Sequence, residues 1–246
     1  MQHPIFGAVV FLVAVLAGAV AAVSGFGIGS LLTPLLATTM SMKAAVAAVS
    51  LPHLVATAVR LWNLRKHIDR RVLIHFGICS AAGGLAGALL QERANSPILT
   101  VVFGALLLFA GLSGLAGWLD HMRFRRGTAW VAGMLSGFFG GLVGNQGGIR
   151  SVALMSFQMS KESLVATATA TGIIIDFARM PVYVATQSQA LLSAKAYIAL
   201  ALAGCLVGTF WGVRLLQRIP PGRYKQLLSL LICALGSYMI LKAWLR

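Results

Sequence analysis

This sequence predicts an all-α integral membrane protein, a single domain of about eight apolar segments arranged in two related halves. Three observations predict it. Of 246 residues, 59% are hydrophobic and only 10% are charged, against about a quarter charged in an ordinary soluble domain. Stretches such as 98–119, 197–216 and 226–241 approach or exceed the roughly 20 apolar residues that cross ~30 Å of hydrocarbon. The basic residues gather in short loops between apolar stretches, at Arg65-Lys66 with Arg70-Arg71, at Arg123 with Arg125-Arg126, and at Arg218 with Arg223 and Lys225.

That third observation decides what the charge means. Lysine and arginine total 20 against 5 acidic residues, a formal net charge of +15, which in a soluble protein would suggest nucleic acid. Here no basic stretch outside the apolar segments is interleaved with aromatics, so nucleic acid is not expected as a partner. Short basic loops between spans follow the positive-inside pattern, with anionic lipid headgroups as their partner.

Taken in order, the first segment, 5–39, lacks a small-residue cleavage site followed by polar sequence. It is therefore expected to remain in the mature protein, which would begin near Met1. It is interrupted by Ser24-Gly25-Phe26-Gly27-Ile28-Gly29-Ser30. The second, 44–62, carries Ser50, Pro52, His53 and Arg60; the third, 72–91, carries Gly83 and Gly87 at close-packing spacing. After the fourth, 97–119, the fifth, 129–158, is interrupted by glycines and by Asn145-Gln146 between residues 140 and 148. The sixth, 163–185, holds Thr167, Thr169, Thr171, Asp176 and Arg179; the seventh, 196–216, repeats the small-residue spacing at Gly204, Gly208 and Gly212; the eighth is 226–245. Cys79, Cys205 and Cys233 lie apart within apolar segments, without metal or redox spacing, and are expected to be packing residues.

A shift of about 119 residues lays the second half over the first. Gly18 then falls on Gly137, Gly25 on Gly144, Gly29 on Gly148, Ser50 on Thr169 and Arg60 on Arg179; with a small adjustment Gly83 and Gly87 fall on Gly204 and Gly208. The expected repeats run from about 5 to 119 and from about 129 to 245, within one membrane domain of residues 1–246. Equivalent loops differ in charge: 63–71 is basic and 186–194 uncharged, whereas 92–97 is nearly neutral and 217–225 basic. Basic loops on one side of the membrane then require the halves to be inverted. Inversion needs an odd number of crossings in each half, so the first and fifth segments are expected to be broken or re-entrant at their glycines, which are poor helix formers.

Irregular backbone at membrane depth survives only inside protein or beside a water-filled cavity. The two breaks are therefore the candidate substrate site, formed by Ser24, Gly25, Gly27, Gly29 and Ser30 with Gly144, Asn145, Gln146, Gly147, Gly148, Arg150 and Arg179. Half-helices starting there would aim free N–H groups at an anion; close helix packing is the plainer use of such glycines. Arg150 would bind an oxyanion through paired donors, unless its depth lets it snorkel to an interface. Asp176 and Arg179 share a helix face. They either neutralise each other or serve as a proton-coupling carboxylate and a ligand released when the pair opens. His53, after the kinking Pro52, is a second candidate for proton coupling or a packed polar residue. Arg60 lies near the basic loop and is expected to snorkel, and the hydroxyls of Ser50 and the three threonines suit helix contacts as well as a ligand. No catalytic motif, metal-ligand spacing or cofactor fingerprint is present, so neither enzyme activity nor a cofactor is expected.

The run Gly25-Phe26-Gly27-Ile28-Gly29-Ser30-Leu31-Leu32-Thr33-Pro34 followed by 44–50, echoed by 137–148 followed by 165–169, resembles the sulfite exporter TauE/SafE family of membrane permeases. The resemblance covers almost the whole chain. It implies a bacterial or archaeal inner-membrane carrier of two related halves, moving sulfite, sulfonates or other organosulfur anions. The family's second glycine cluster is usually less interrupted than Asn145-Gln146-Gly147-Gly148-Ile149-Arg150, a departure that leaves the anion open. The expected function is a secondary transporter for a small sulfur-containing anion; a passive anion channel and a membrane scaffold are the alternatives, and a homodimer is left open.

Overall fold

The computed structural model describes residues 4–25, 27–117, 126–145, 147–155, 157, 159–212 and 221–245. These form helices α1 (Pro4–Ser24), α2 (Ile28–Leu36), α3 (Met42–Leu64), α4 (Arg70–Arg93), α5 (Ser96–Ala116), α6 (Arg126–Val143), α7 (Gly147–Met155), α8 (Lys161–Ser193), α9 (Lys195–Val207) and α10 (Pro221–Trp244). A 3₁₀ turn, Arg65–His67, follows α3, and a π turn, Gly208–Gly212, extends α9. Six of these helices are long and apolar enough to cross a bilayer, and no strand occurs among the described residues.

Polar side chains set several helix starts. Ser41 caps α3 by accepting the Ala44 amide, Asp69 caps α4 by accepting that of Val72, and Ser160 caps α8 by accepting that of Ser163. Such caps satisfy amides that would otherwise lack a partner. The sequence suggests a loop at 186–194, but α8 continues to Ser193 and bends instead at Gln187 (φ −123°, ψ 18°). No glycine interrupts that stretch, and its alanine, glutamine and leucine residues favour helix.

Five helix pairs organise the bundle: α4 packs on α6, α5 on α10, α1 on α9, and both α4 and α3 on α8. Glycines permit these contacts. Gly83 and Gly87 of α4 lie against the carbonyls of Met134 and Phe138 on α6, which returns Gly137 and Gly141 against Ser80 and Gly84. Gly18 of α1 meets the Cys205 backbone on α9, while Gly204 and Gly208 meet Phe11 and Val15. Lipid tails are as apolar as a leucine side chain, so association rests on this close backbone packing rather than on hydrophobic burial. Large apolar side chains such as Leu12, Ile78, Phe177 and Leu227 are exposed at the surface of the isolated chain, as a lipid-facing surface requires. The cysteines are free thiols.

Candidate functional site

Both glycine clusters fall at helix ends. At the first, α1 stops at Ser24, and Gly25 and Gly27 adopt φ of 82° and 133° before α2 begins at Ile28. At the second, α6 stops at Val143, and Gly144 adopts φ 77° before α7 begins at Gly147. A positive φ is costly for residues with a Cβ, which is why glycine stands at these turns. The two breaks touch: a methyl group on Gly29 would strike the carbonyl oxygen of Gly144.

The same device secures each break. The amide of Gly25 donates to Ala21 O at 2.9 Å, and that carbonyl also accepts from Arg60 Nη1. The amide of Gly144 donates to Gly140 O at 3.0 Å, and that carbonyl also accepts from Arg179 Nη1. Tyr183 Oη donates to the next carbonyl, Gly141 O. The carbonyls of Ala21 and Gly140 thus each accept twice, once from their own helix and once from a buried arginine, which the two lone pairs of a carbonyl oxygen allow. The arginine finds there an acceptor that lipid would not supply. Arg60, expected to snorkel, is instead buried at 8% exposure. The Ala21 carbonyl, which has a second lone pair to offer, lies within reach inside the bundle, and proximity to the basic loop did not reveal it.

Asp176 is fully buried on α8. Its Oδ1 accepts from Arg179 Nε at 3.0 Å, with Nη2 at 2.7 Å, while Oδ2 lies 2.6 Å from His53 Nδ1 on α3. The two residues singled out separately as candidates for proton coupling are therefore in direct contact, and both carboxylate oxygens are engaged.

Arg150, in the first turns of α7, is only 2% exposed, and its Nε and Nη1 have no hydrogen-bond partner. Its guanidinium lies over Gly172 of α8, where an added Cβ would come within 2.9 Å of Nη1. Gly172 and Asp176 are one helical turn apart on the same face, so Arg150 sits beside the Asp176 cluster. The Asp176 ion pairs among the described residues go to His53 and Arg179, not to Arg150. A buried guanidinium with free donors is costly unless something else supplies acceptors.

The remaining candidates are unevenly placed. Gly27, Gly29, Ser30 and Gly147 are buried, and Asn145 is half-buried at the second break. Gly148 lies in the first turn of α7. Gln146 and the side chain of Ser24 lie outside the described residues. The hydroxyls of Thr169 and Thr171 donate to helix carbonyls at 2.7 and 2.8 Å, and that of Ser50 donates to Ala47 O at 2.6 Å, the usual use of such groups inside a helix. The Thr167 hydroxyl accepts the Asp69 amide at 3.0 Å. Thr33 Oγ1, on α2, is buried without a partner. Sequence reasoning missed Gly172, Tyr183 and Thr33. Tyr183 was within reach, since it lies one turn beyond Arg179 on the same face; Gly172 carried no signal among 27 glycines.

Long apolar helices enclosing buried charges define an integral membrane protein with a polar interior, the class to which permeases belong. Residues 10–239 match the family model of Sulfite exporter TauE/SafE, and the chain belongs to that family of multi-pass membrane permeases. The resemblance drawn from the glycine motifs thus holds over nearly the whole chain. No curated protein and no solved structure matches it.

Proposed function

We propose that this protein is a proton-coupled secondary transporter of a small sulfur-containing anion in the inner membrane of a bacterium or archaeon. The anion would bind where the two helix breaks meet. One observation carries the reading: Arg150 is buried against the centre of the bundle with two nitrogens free to donate. Beside it lies Arg179, and at the adjoining breaks the uncapped N-terminus of α2 meets Gly144, just before the start of α7, an assembly of donors suited to an oxyanion. The membership in a family named for sulfite export supplies the sulfur chemistry.

Two inverted repeats meeting at the site would let one half rock against the other. The offset of about 119 residues supports the repeat. It relates Gly25 to Gly144, Arg60 to Arg179, and cap Ser41 to cap Ser160, and it carries the bounds of α2 onto those of α7. The packing is reciprocal as well, since α1 lies on α9 of the other half and α6 on α4.

The test is flux of sulfite and thiosulfate in proteoliposomes. Saturable transport is expected in the parent protein. Arg150→Ala should weaken apparent affinity by about 30-fold or more, the loss of a buried charge-assisted contact worth at least ~2 kcal/mol. Undiminished flux in that variant would refute the site, and non-saturating flux would favour a channel.

Coupling is assigned to the His53–Asp176 contact. The charged and titratable groups facing it are Arg179 and Tyr183 on α8 and Arg150 on α7; Arg60, on α3 with His53, turns its guanidinium to the Ala21 carbonyl of α1. Protonation at this pair would loosen the hold of Asp176 on Arg179 and free the latter for substrate. With His53→Gln, an imposed pH gradient should no longer accelerate flux, while flux without a gradient persists. Equal stimulation by the gradient in both proteins would remove His53 from the coupling path.

A further inference from the structure

The charges buried around the breaks do not cancel. Arg60, Arg150 and Arg179 are buried cations, and Asp176 is the one buried carboxylate among the described residues. With the His53 imidazole neutral, the centre therefore carries two positive charges in excess, and a proton on His53 would raise the excess. Asp176 is already shared between Arg179 and His53. Nothing within ion-pair distance neutralises Arg150 among the described residues, although its side chain is enclosed by protein.

Net charge inside a low-dielectric interior is expensive, and it is lowered most by a ligand of equal and opposite charge. Resting on the transport reading above, we propose that the site selects anions carrying two negative charges, with Arg150 as the residue that sets this preference. A divalent oxyanion would bring the centre to neutrality with the His53 imidazole neutral, and would leave the smallest excess of these ligands once the pair takes up a proton. A monovalent sulfonate of similar size leaves one charge uncompensated, and a zwitterion such as taurine leaves both. Gly172 is the positioning partner: lacking a side chain, it lets the Arg150 guanidinium lie against α8 rather than be pushed away.

The experiment compares thiosulfate, a dianion, with methanesulfonate, a monoanion, in proteoliposomes at fixed ionic strength. In the parent protein, kcat/KM should favour thiosulfate by about tenfold or more, each factor of ten corresponding to one uncompensated charge worth ~1.4 kcal/mol. Arg150→Gln lowers the excess to one charge, and the preference should fall toward unity or reverse. Gly172→Ala should weaken the preference less, because the end of a long side chain can shift. Thermal stabilisation of the purified parent protein by each anion provides a readout that needs no variant, and thiosulfate should raise the melting temperature more. Equal handling of the two anions by the parent protein, in flux and in melting, overturns the charge preference while leaving transport intact. An unchanged preference in a folded Arg150→Gln protein removes Arg150 from it. Absence of saturable flux and of stabilisation with either anion would refute the transport reading, and this inference with it.

Discussion

Asp176→Asn should abolish transport and destabilise the protein by about 3–5 kcal/mol, the usual result of removing one member of a buried charge pair. The substitution preserves shape, so the loss is electrostatic. Asp176 supplies both of its oxygens, one to the Arg179 fork and one to His53. Asparagine offers one acceptor oxygen and turns a donor toward one of these partners. Three buried arginines then remain without a buried carboxylate among the described residues, and Arg179 loses the pairing that aims its Nη1 at the Gly140 carbonyl of the second break. Melting of the detergent-solubilised protein and thiosulfate flux together check this. A double variant, Asp176→Asn with Arg179→Gln, should recover part of the stability, because the uncompensated cation is gone, but none of the flux. A single variant with parental melting temperature and parental flux would show that the carboxylate is dispensable to both.

The asymmetry of this cluster marks the boundary of what could be deduced from the chain alone. Apolar length, basic loops and glycine spacing act locally, and the helix ends at Gly25 and Gly144 coincide with the glycine clusters. The pairing of Asp176 with Arg179 is also local, three residues apart on one face. Contact between His53 and Asp176 spans 123 positions, and no periodicity in either helix points to it. In a membrane bundle, helices are apolar on nearly every side, so the amphipathic signal that orients a surface helix in water is weak. That is why Arg60 could be placed near a loop from its neighbours while its direction, inward to the Ala21 carbonyl, could not. The direction of a long buried cation depends on which backbone acceptor lies within its range. Here that is fixed by the three-dimensional arrangement of a different helix.

The two breaks also explain why the arginines differ in their duties. Arg60 and Arg179 hold equivalent carbonyls and so stabilise the ends of α1 and α6. Among the described residues no helix-end carbonyl accepts from Nε or Nη1 of Arg150, and the position 119 residues before it is Leu31. Likewise, the position equivalent to Gly172 is His53, and that equivalent to Asp176 is Thr57. Under the proposed repeat, features at matching positions build the breaks, whereas Arg150, Asp176 and His53 have no charged or titratable counterpart 119 residues away and, with Arg179, supply the groups assigned above to substrate and proton. A repeat that kept its scaffold symmetric and differentiated a few interior positions would produce this distribution.

Gly87→Leu should prevent folding into a transport-competent bundle, and even Gly87→Ala should cost about 1–3 kcal/mol through overpacking. A Cβ at this position would collide with Phe138 O and come within 2.8 Å of Leu142 N and 2.9 Å of the Phe138 carbonyl carbon. These are backbone atoms on α6, which cannot rotate away as a side chain would. Helices α4 and α6 must therefore separate, losing the reciprocal fit of Gly83, Gly137 and Gly141 and the bond from Gln91 Nε2 to Leu142 O at 2.9 Å. The damage extends beyond packing, because α6 presents the carbonyls of Gly140 and Gly141 to Arg179 and Tyr183. Displacing it moves the second break away from Gly29. Size-exclusion profile and melting temperature in detergent measure the first effect, and thiosulfate flux measures the second. Leu89→Ala, a change at an exposed apolar position of the same helix, should alter each by little, since lipid fills the space as well as leucine does. Parental melting and flux in Gly87→Leu would mean that α4 and α6 are not held at glycine distance in the working protein. The geometry assigned to the second break would then fall as well.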